Sequence, residues 1–296
     1  MTDARQPGVP RPGLPPGASV RFSCVVDGPP RYLHEAWIWS TTLLRLARRQ
    51  PHEVVVHLVE GVDSRHLDFL RDLGVEVRTV APFDKRHPYS NKLSQLQSEA
   101  LQDADLVVLT DCDIAFAGDV DGLFSGVEMI AAKTVDLARP SYEHWRRIFT
   151  AAGFDTEPEL ALATHSREPT FARNFNGGVY VLTRAAFAAL RDAWPRWTRW
   201  LLDRPEILGD LTFHTDQVAF GLATHELGLA VRVLTPRFNY PTHLVDPMPS
   251  DPVMLHYHQH LDGNGYLRVT GHDAVDARID RVNQVLAAER HAASPP

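Results

Sequence analysis

Apolar residues along this chain fall into two alternating rhythms. Short continuous runs, VRFSCVV (20–26), EVVVHLVE (53–60), VEVRTV (75–80) and DLVVLT (105–110), are rich in β-branched residues and stop at polar or turn-forming ones. Such runs predict buried strands. Between them the inward positions recur at helical spacing: Leu33, Trp37, Ser40, Leu44 and Ala47 within 32–49, then Leu67, Leu70 and Leu73 ahead of a stop at Gly74. A third helix is expected over about 90–102. Four strands alternate with three helices, which predicts an α/β class with a mostly parallel, mixed sheet flanked by helices. Ligands on such sheets bind beyond the carboxyl ends of the strands, so the residues after Thr110 occupy a functional position on topology alone.

The second half is less regular. Strands are expected at 129–133, 177–183, 229–234 and 253–258, and helices over 141–152, over a stretch broken near Pro195, over HTDQVAFGLATHELG up to Gly228, and over 272–290. The polar stretch 153–170 reads as a lid or acceptor-binding insertion. No repeat and no linker divides the chain, so a single domain is expected over 19–290, between a Pro-rich disordered tail (1–18) and a flexible end (291–296).

Hydrophobic residues make up 44% and charged residues 23%, as in soluble enzymes, and the net charge of −7 disfavours nucleic acid or an anionic membrane as partner. The two cysteines, Cys24 and Cys112, sit in apolar runs and read as buried reduced thiols. Neither a signal-peptide core nor a run long enough to cross a bilayer is evident, which sets a cytoplasmic location as the expectation.

Four features carry candidate chemistry. In an extended segment Asp111 and Asp113 point the same way and Cys112 the opposite way, so both carboxylates can reach one hard divalent cation while the thiol packs inward. The plain alternative is a polar turn that ends a strand. RNFNGGVYVLT (173–183) places Asn176, Gly177 and Gly178 where a backbone can approach a ligand closely, or where Asn in a left-handed turn makes a bulge. Asp216 and Gln217 open a helix that Thr215 is expected to N-cap. His256, His258 and His260 alternate after an apolar strand and are expected to share a face; imidazole suits Mn²⁺ and other transition ions. Of the six tryptophans, Trp145 is a candidate to stack on a sugar, whereas Trp194, Trp197 and Trp200 at helical spacing read as core or an oligomer surface.

In this order, strand–Asp-Gly–helix, Asp111-x-Asp113, NFNGGVYVL, TDQVAF and MLHYH, the motifs over roughly residues 20–260 resemble GT-A-fold nucleotide-sugar glycosyltransferases. Within that group the chain is most similar to the glycogenin and bacterial lipooligosaccharide galactosyltransferase family. The resemblance implies a GT-A (Rossmann-like) domain and a hexosyltransferase that retains anomeric configuration. It implies Mn²⁺ (or Mg²⁺) held by Asp111, Asp113 and His256 against a nucleotide-sugar diphosphate, by default UDP. It further implies Asp27 at the nucleobase, Asn91 and Lys92 near the donor, Asn176, Gly177 and Gly178 around the sugar, and Asp216 with Gln217 at the reacting centre. The acceptor, a small molecule, glycan or natural product, would meet residues 136–173 and 258–275. The chain departs from the family pattern where Gln259 stands three residues after His256, Gly263 stands three after His260, and no Lys-Pro-Trp follows. The metal histidine is therefore open among His256, His258 and His260. A nucleotidyltransferase making nucleotide sugars, or a non-catalytic nucleotide-sugar-binding protein, are the competing readings. VVDGPPRYLHEA lacks the Gly-rich basic loop of the first, and the intact Asp pair argues against the second.

Overall fold

The computed structural model describes residues 14, 17–62, 67–244 and 251–292, so the two segments read as tails lie almost wholly outside the described residues. The first half follows the expected alternation: β1 (Val20–Val26), α1 (Pro30–Arg45), β2 (Val54–Val59), α2 (Asp68–Asp72) and β3 (Glu76–Val80). A 3-10 helix (Pro88–Gln97) and the short α3 (Glu99–Gln102) then lead into β4 (Leu106–Thr110). The single helix expected over 90–102 is thus mostly 3-10. Its polar side chains bond locally instead of leaving the backbone to the α pattern: Asn91 Oδ1 accepts from the Phe83 amide and Gln95 Nε2 donates to the Lys92 carbonyl.

The second half contains β5 (Ile114–Phe116), β6 (Ile130–Thr134), α4 (Tyr142–Ala152), β7 (Leu160–Leu162), β8 (Pro169–Phe171), β9 (Phe175–Thr183) and α5 (Arg184–Leu202). It closes with α6 (Thr215–Glu226), β10 (Val231–Val233), β11 (Phe238–Pro241), β12 (Met254–His256) and α7 (Asp273–Ala292). The polar insertion at 153–170 carries the β7–β8 hairpin. Pro195 sits inside α5 without breaking it; Trp194 and Trp197, both buried, anchor the helix on either side and outweigh the lost backbone hydrogen bond. Trp145, a candidate to stack on a sugar, is instead fully buried against Phe149 and Phe171.

Seven strands form the main sheet in the order β10-β6-β9-β4-β1-β2-β3. Every pairing is parallel except those of β9, which runs antiparallel to both β4 and β6. Alternation sends Val179 and Val181 into the core under α1 and α7, and Tyr180 and Leu182 into the core under α4–α6, so β9 is apolar on both faces. On the second face Tyr180 stacks on Phe220 at 3.9 Å between ring centroids, with Trp194 edge-on. A small sheet, β11-β12-β5, starts just beyond β4, since β5 follows it after three residues. The antiparallel β12–β5 register pairs His256 with Ile114 and so brings the end of β12 against the residues that follow β4.

Candidate active site

Asp111, Cys112 and Asp113 form the turn between β4 and β5, so the plain reading of a strand-ending turn holds, and the turn also concentrates charge. As alternation predicted, Cys112 turns inward, its Sγ 3.3 Å from Glu35 Oε2 of α1, while the flanking carboxylates face the other way. Asp113 Oδ1 lies 3.2 Å from His256 Nε2 and Asp113 Oδ2 lies 3.7 Å from His258 Nδ1. Asp111 Oδ2 is 3.9 Å from His256 Nε2, and Asp111 Oδ1 is 2.6 Å from Lys92 Nζ. Lys92 reaches on to Asp216 Oδ2 at 3.4 Å.

β9 runs beneath this cluster, and its two glycines make room for it. Neither Gly177 nor Gly178 has a positive φ, and neither Asn174 nor Asn176 is left-handed, so a strained turn does not explain them. A Cβ on Gly177 would fall 2.9 Å from Lys92 Nζ, and one on Gly178 would fall 2.7 Å from His256 Nδ1 and 2.6 Å from Asn239 Oδ1. The glycines are needed for close approach. The Gly177 amide donates to Gln217 Oε1 at 3.1 Å, and the Gly178 amide donates to Asn176 Oδ1 at 2.9 Å. At the other end of the site Asn91 Nδ2 donates to Asp27 Oδ2 at 2.6 Å. Asp111, Asp113, His256, Lys92, Asp216, Gly177, Gly178 and Gln217 are brought together by these contacts, and Asn176 joins them through the Gly178 amide. Asp27 and Asn91 pair with each other, Asn91 being the chain neighbour of Lys92.

Two cationic groups, Lys92 and His256, face the three carboxylates of the cluster. Burial opposes the Lys92 ammonium, but Asp111 and Asp216 outweigh burial and hold its pKa above the usual lysine range. Burial raises the Asp111 carboxyl, with Lys92 opposing the rise and Asp113 adding to it. Burial works against the Asp113 carboxylate too, yet the charge and hydrogen bond of His256 prevail and hold it at about 2. For His256 burial is outweighed by Asp113, and its pKa rises. His258 is pushed down to about 2 by burial and by repulsion from His256, so its ring is neutral.

Two sequence expectations are corrected. Thr215 does not cap α6; its hydroxyl donates to the Thr212 carbonyl at 2.5 Å, because a 3-10 helix (Gly209–His214) runs directly into α6 and leaves no N-cap vacancy. The three histidines do not share one face. β12 ends at His256, His258 adopts a left-handed φ of 50°, and His260 ends exposed beside His243.

Sequence reasoning missed the support behind His256. Asn239 is fully buried with φ 80°, and its Oδ1 accepts from His256 Nδ1 at 2.8 Å. Asn239 Nδ2 donates to Asn176 Oδ1 at 2.9 Å, and Asn176 Nδ2 donates to Asp136 Oδ2 at 2.9 Å. The fully buried Lys133 bonds both Asp136 and the Asn239 carbonyl. Lys133 within the apolar run MIAAK was the one available signal; Asn239 in RFNYP offered none.

A cleft of about 560 Å³ lies between β3, the 3-10 helix at 88–97 and α5, lined by Arg78, Phe83, Gln97, Arg191 and Arg199, and none of the clustered carboxylates borders it.

A mostly parallel sheet with an antiparallel β9, and an Asp-x-Asp turn set against a carboxyl-terminal histidine, define the fold as that of GT-A glycosyltransferases. Residues 23–228 match the profile of the Rhodobacterales glycosyltransferase domain, and the chain belongs to that family of enzymes. Among solved structures it is similar to the galactosyltransferase LgtC in complex with donor and acceptor sugar analogs. The two share 14% identity over 91% of this chain and 96% of that one, with a TM-score of 0.57. Apo mouse xyloside xylosyltransferase 1 is 17% identical over 82% of this chain and 98% of its own, with a TM-score of 0.51. The bifunctional glycosyltransferase WbbM is 13% identical over 94% of this chain and 52% of its own, with a TM-score of 0.56. A search of curated proteins by sequence finds no match. Among the described residues no helix is long and apolar enough to cross a membrane.

Proposed function

We propose that this glycosyltransferase transfers a hexose from a nucleotide diphosphate sugar, UDP-linked by preference, to an acceptor hydroxyl, with a divalent ion held by Asp111, Asp113 and His256. The observation that carries the reading is the convergence of Asp113 and Asp111 on His256 Nε2, at 3.2 and 3.9 Å, in a turn at the carboxyl end of β4. These donors suit Mn²⁺ because they mix carboxylate oxygen with imidazole nitrogen, and the Asn239 hydrogen bond at Nδ1 leaves Nε2 to face the ion. The ion, when bound, neutralises charge developing on the departing diphosphate.

The chain's own side chains do the rest. Asp27, held by Asn91, presents acceptor oxygens to the nucleobase. Lys92 orders Asp111 and Asp216 and supplies positive charge beside the diphosphate. Asn176, Gly177, Gly178 and Gln217 line the sugar, and the carbonyl and carboxylate oxygens of Gln217 and Asp216 stabilise the oxocarbenium-like carbon. Proton uptake by Asp216 would break its pair with Lys92, which favours a retaining reaction. In that reaction the bond from the anomeric carbon to the diphosphate oxygen breaks, the bond to the acceptor oxygen forms on the same face, and the acceptor proton passes to the diphosphate.

Titration of UDP with and without Mn²⁺, on the wild type and on Asp113→Ala, tests the site. Binding that requires metal and is lost in the variant supports it; metal-independent binding would sink it. A panel of nucleotide sugars, followed by mass spectrometry, then assigns the donor from slow release of nucleoside diphosphate. Release of pyrophosphate from a nucleoside triphosphate and a sugar phosphate would instead identify a nucleotidyltransferase.

A further inference from the structure

The ion site proposed above uses one histidine, but the turn after β12 brings a second. In an extended strand the side chains at i and i+2 stand roughly 6.5–7 Å apart along one face. His258 does not continue the strand: its left-handed backbone folds the ring back over His256, with ring centroids 3.9 Å apart and planes inclined by 26°. The turn is tied to the Asp-x-Asp segment, because the Tyr257 amide donates to the Asp113 carbonyl at 3.2 Å. His258 Nδ1 consequently faces the free Asp113 oxygen, Oδ2, while His256 Nε2 faces Oδ1. One donor atom from each of Asp113, His256 and His258 lies within 4.8 Å of the other two. Donors about 2.1 Å from one ion would stand roughly 3 Å apart when adjacent and 4.2 Å when opposite, so this group needs only small adjustments to close. Asp111, by contrast, has its Oδ1 occupied by Lys92 at 2.6 Å.

Resting on the metal-dependent reading, we propose that His258 is a second imidazole ligand. Asp113, His256 and His258 then form a two-nitrogen, one-carboxylate face, with Asp111 completing the site through its remaining oxygen. The consequence is selectivity. Mg²⁺ prefers an all-oxygen shell and retains its water, whereas two imidazoles favour Mn²⁺, Co²⁺ and other first-row transition ions. The chain's activity should therefore be supported by transition ions far better than by Mg²⁺.

The experiment measures ion affinity directly on the whole protein. Free Mn²⁺ is followed by electron paramagnetic resonance, Co²⁺ by its visible absorption, and Mg²⁺ by competition with Mn²⁺. The proteins compared are wild type, Asp113→Ala, His256→Ala and His258→Gly, the last chosen because glycine keeps the left-handed turn unstrained. The expected result is a loss of Mn²⁺ and Co²⁺ affinity of at least about tenfold in His258→Gly, with little change for Mg²⁺, an altered Co²⁺ spectrum, and an unchanged melting temperature. Wild-type affinity and an unaltered Co²⁺ spectrum in His258→Gly, alongside loss in His256→Ala, would overturn the proposal while leaving the one-histidine site standing. Absence of any divalent binding by the wild type would overturn both.

Discussion

His256 Nδ1 lies 2.8 Å from Asn239 Oδ1, and this contact determines which way the candidate ligand nitrogen faces. An amide oxygen accepts only, so Nδ1 must carry the proton and Nε2 is turned toward Asp113 and Asp111 with its lone pair available on deprotonation. Asn239 is itself fixed on both sides, by Asn176 Oδ1 at 2.9 Å and by Lys133 at its carbonyl, also at 2.9 Å. Replacing Asn239 with glycine keeps the positive φ at ease and deletes only the side chain. Affinity for Mn²⁺ is expected to fall about 10- to 100-fold with the fold intact, as for other partners of metal-bound histidines. Asn239→Asp, which keeps the acceptor oxygen for His256 but loses the donor to Asn176 Oδ1, should recover part of it. Calorimetric titration with Mn²⁺ and a circular dichroism melt make the comparison; equal affinity in wild type and Asn239→Gly would refute the positioning role.

The two glycines of β9 should respond differently to alanine. At Gly177 the new Cβ meets the tip of a flexible lysine, Lys92 Nζ at 2.9 Å, which can swing aside. At Gly178 it meets the amide of Asn239 at 2.6 and 2.8 Å and His256 Nδ1 at 2.7 Å, all held by buried partners. Gly178→Ala is expected to abolish detectable Mn²⁺ binding and to lower stability by about 1–3 kcal/mol, the usual cost of overpacking. Gly177→Ala should bind Mn²⁺ nearly as the wild type does and lose mainly affinity for the nucleoside diphosphate. Urea unfolding and ligand titration on the two variants separate these outcomes.

The distribution of such contacts shows what was legible in the sequence. Continuous apolar runs announced β1, β2, β4 and β9, because strands buried on both faces must be apolar at nearly every position. Asp111 and Asp113 stood out by position, because ligands on such sheets bind beyond the carboxyl ends of the strands. β5 and β11 did not stand out: each spans only three or four residues, and they pair through β12 across long sequence separation. Asn239 was hidden for a different reason, and His258 was visible only as an alternative to His256, not as its companion. Their roles come from left-handed backbone at φ 80° and 50°, which no periodicity reports. Lys133 and Asp136 neutralise each other only once β6 and its following loop are folded together.

Glu35 gives the stability a pH dependence of definite sign. It lies buried on α1 beside Cys112, and burial, helped by the charge of Asp113, lifts its carboxyl from the ordinary 4.5 to about 8. Between those values the folded protein binds the proton and the unfolded chain does not, so the unfolding free energy falls as pH rises. The stability lent by the neutral acid is complete below about pH 4.5, declines through the neutral range and is gone above about pH 8. The total is on the order of several kcal/mol, because a tenfold change in proton affinity corresponds to about 1.4 kcal/mol. Glu35→Gln should flatten this decline and leave the variant the more stable protein at pH 8. Urea midpoints of both proteins at four pH values between 5 and about 8.5 test it; parallel curves would show that Glu35 is ionised throughout.

Lys92 bridges two carboxylates, and this bridge predicts coupling that a simple contact sum would miss. Its ammonium lies 2.6 Å from Asp111 Oδ1 and 3.4 Å from Asp216 Oδ2, in a pocket where its side chain is only 19% exposed. Removing the lysine charge with Lys92→Met leaves Asp111 and Asp216 partly buried without their shared counter-ion, a loss of about 3–5 kcal/mol at the upper end. Asp216→Asn alone removes one carboxylate but leaves the shorter pair with Asp111, and should cost less. In the double variant only Asp111 is left without its counter-ion, because Asp216→Asn has already removed the other carboxylate, so the combined loss should fall short of the sum of the two single losses by about 1–3 kcal/mol. Unfolding free energies of the four proteins close this cycle. Hydrolysis of the nucleotide sugar provides an independent readout: it should fall in both single variants if, as proposed, the lysine supplies charge beside the diphosphate and the carboxylate faces the sugar. Strict additivity in stability would mean that Lys92 and Asp216 do not share one electrostatic unit, and would shift the donor-binding role of Lys92 onto its contact with Asp111 alone.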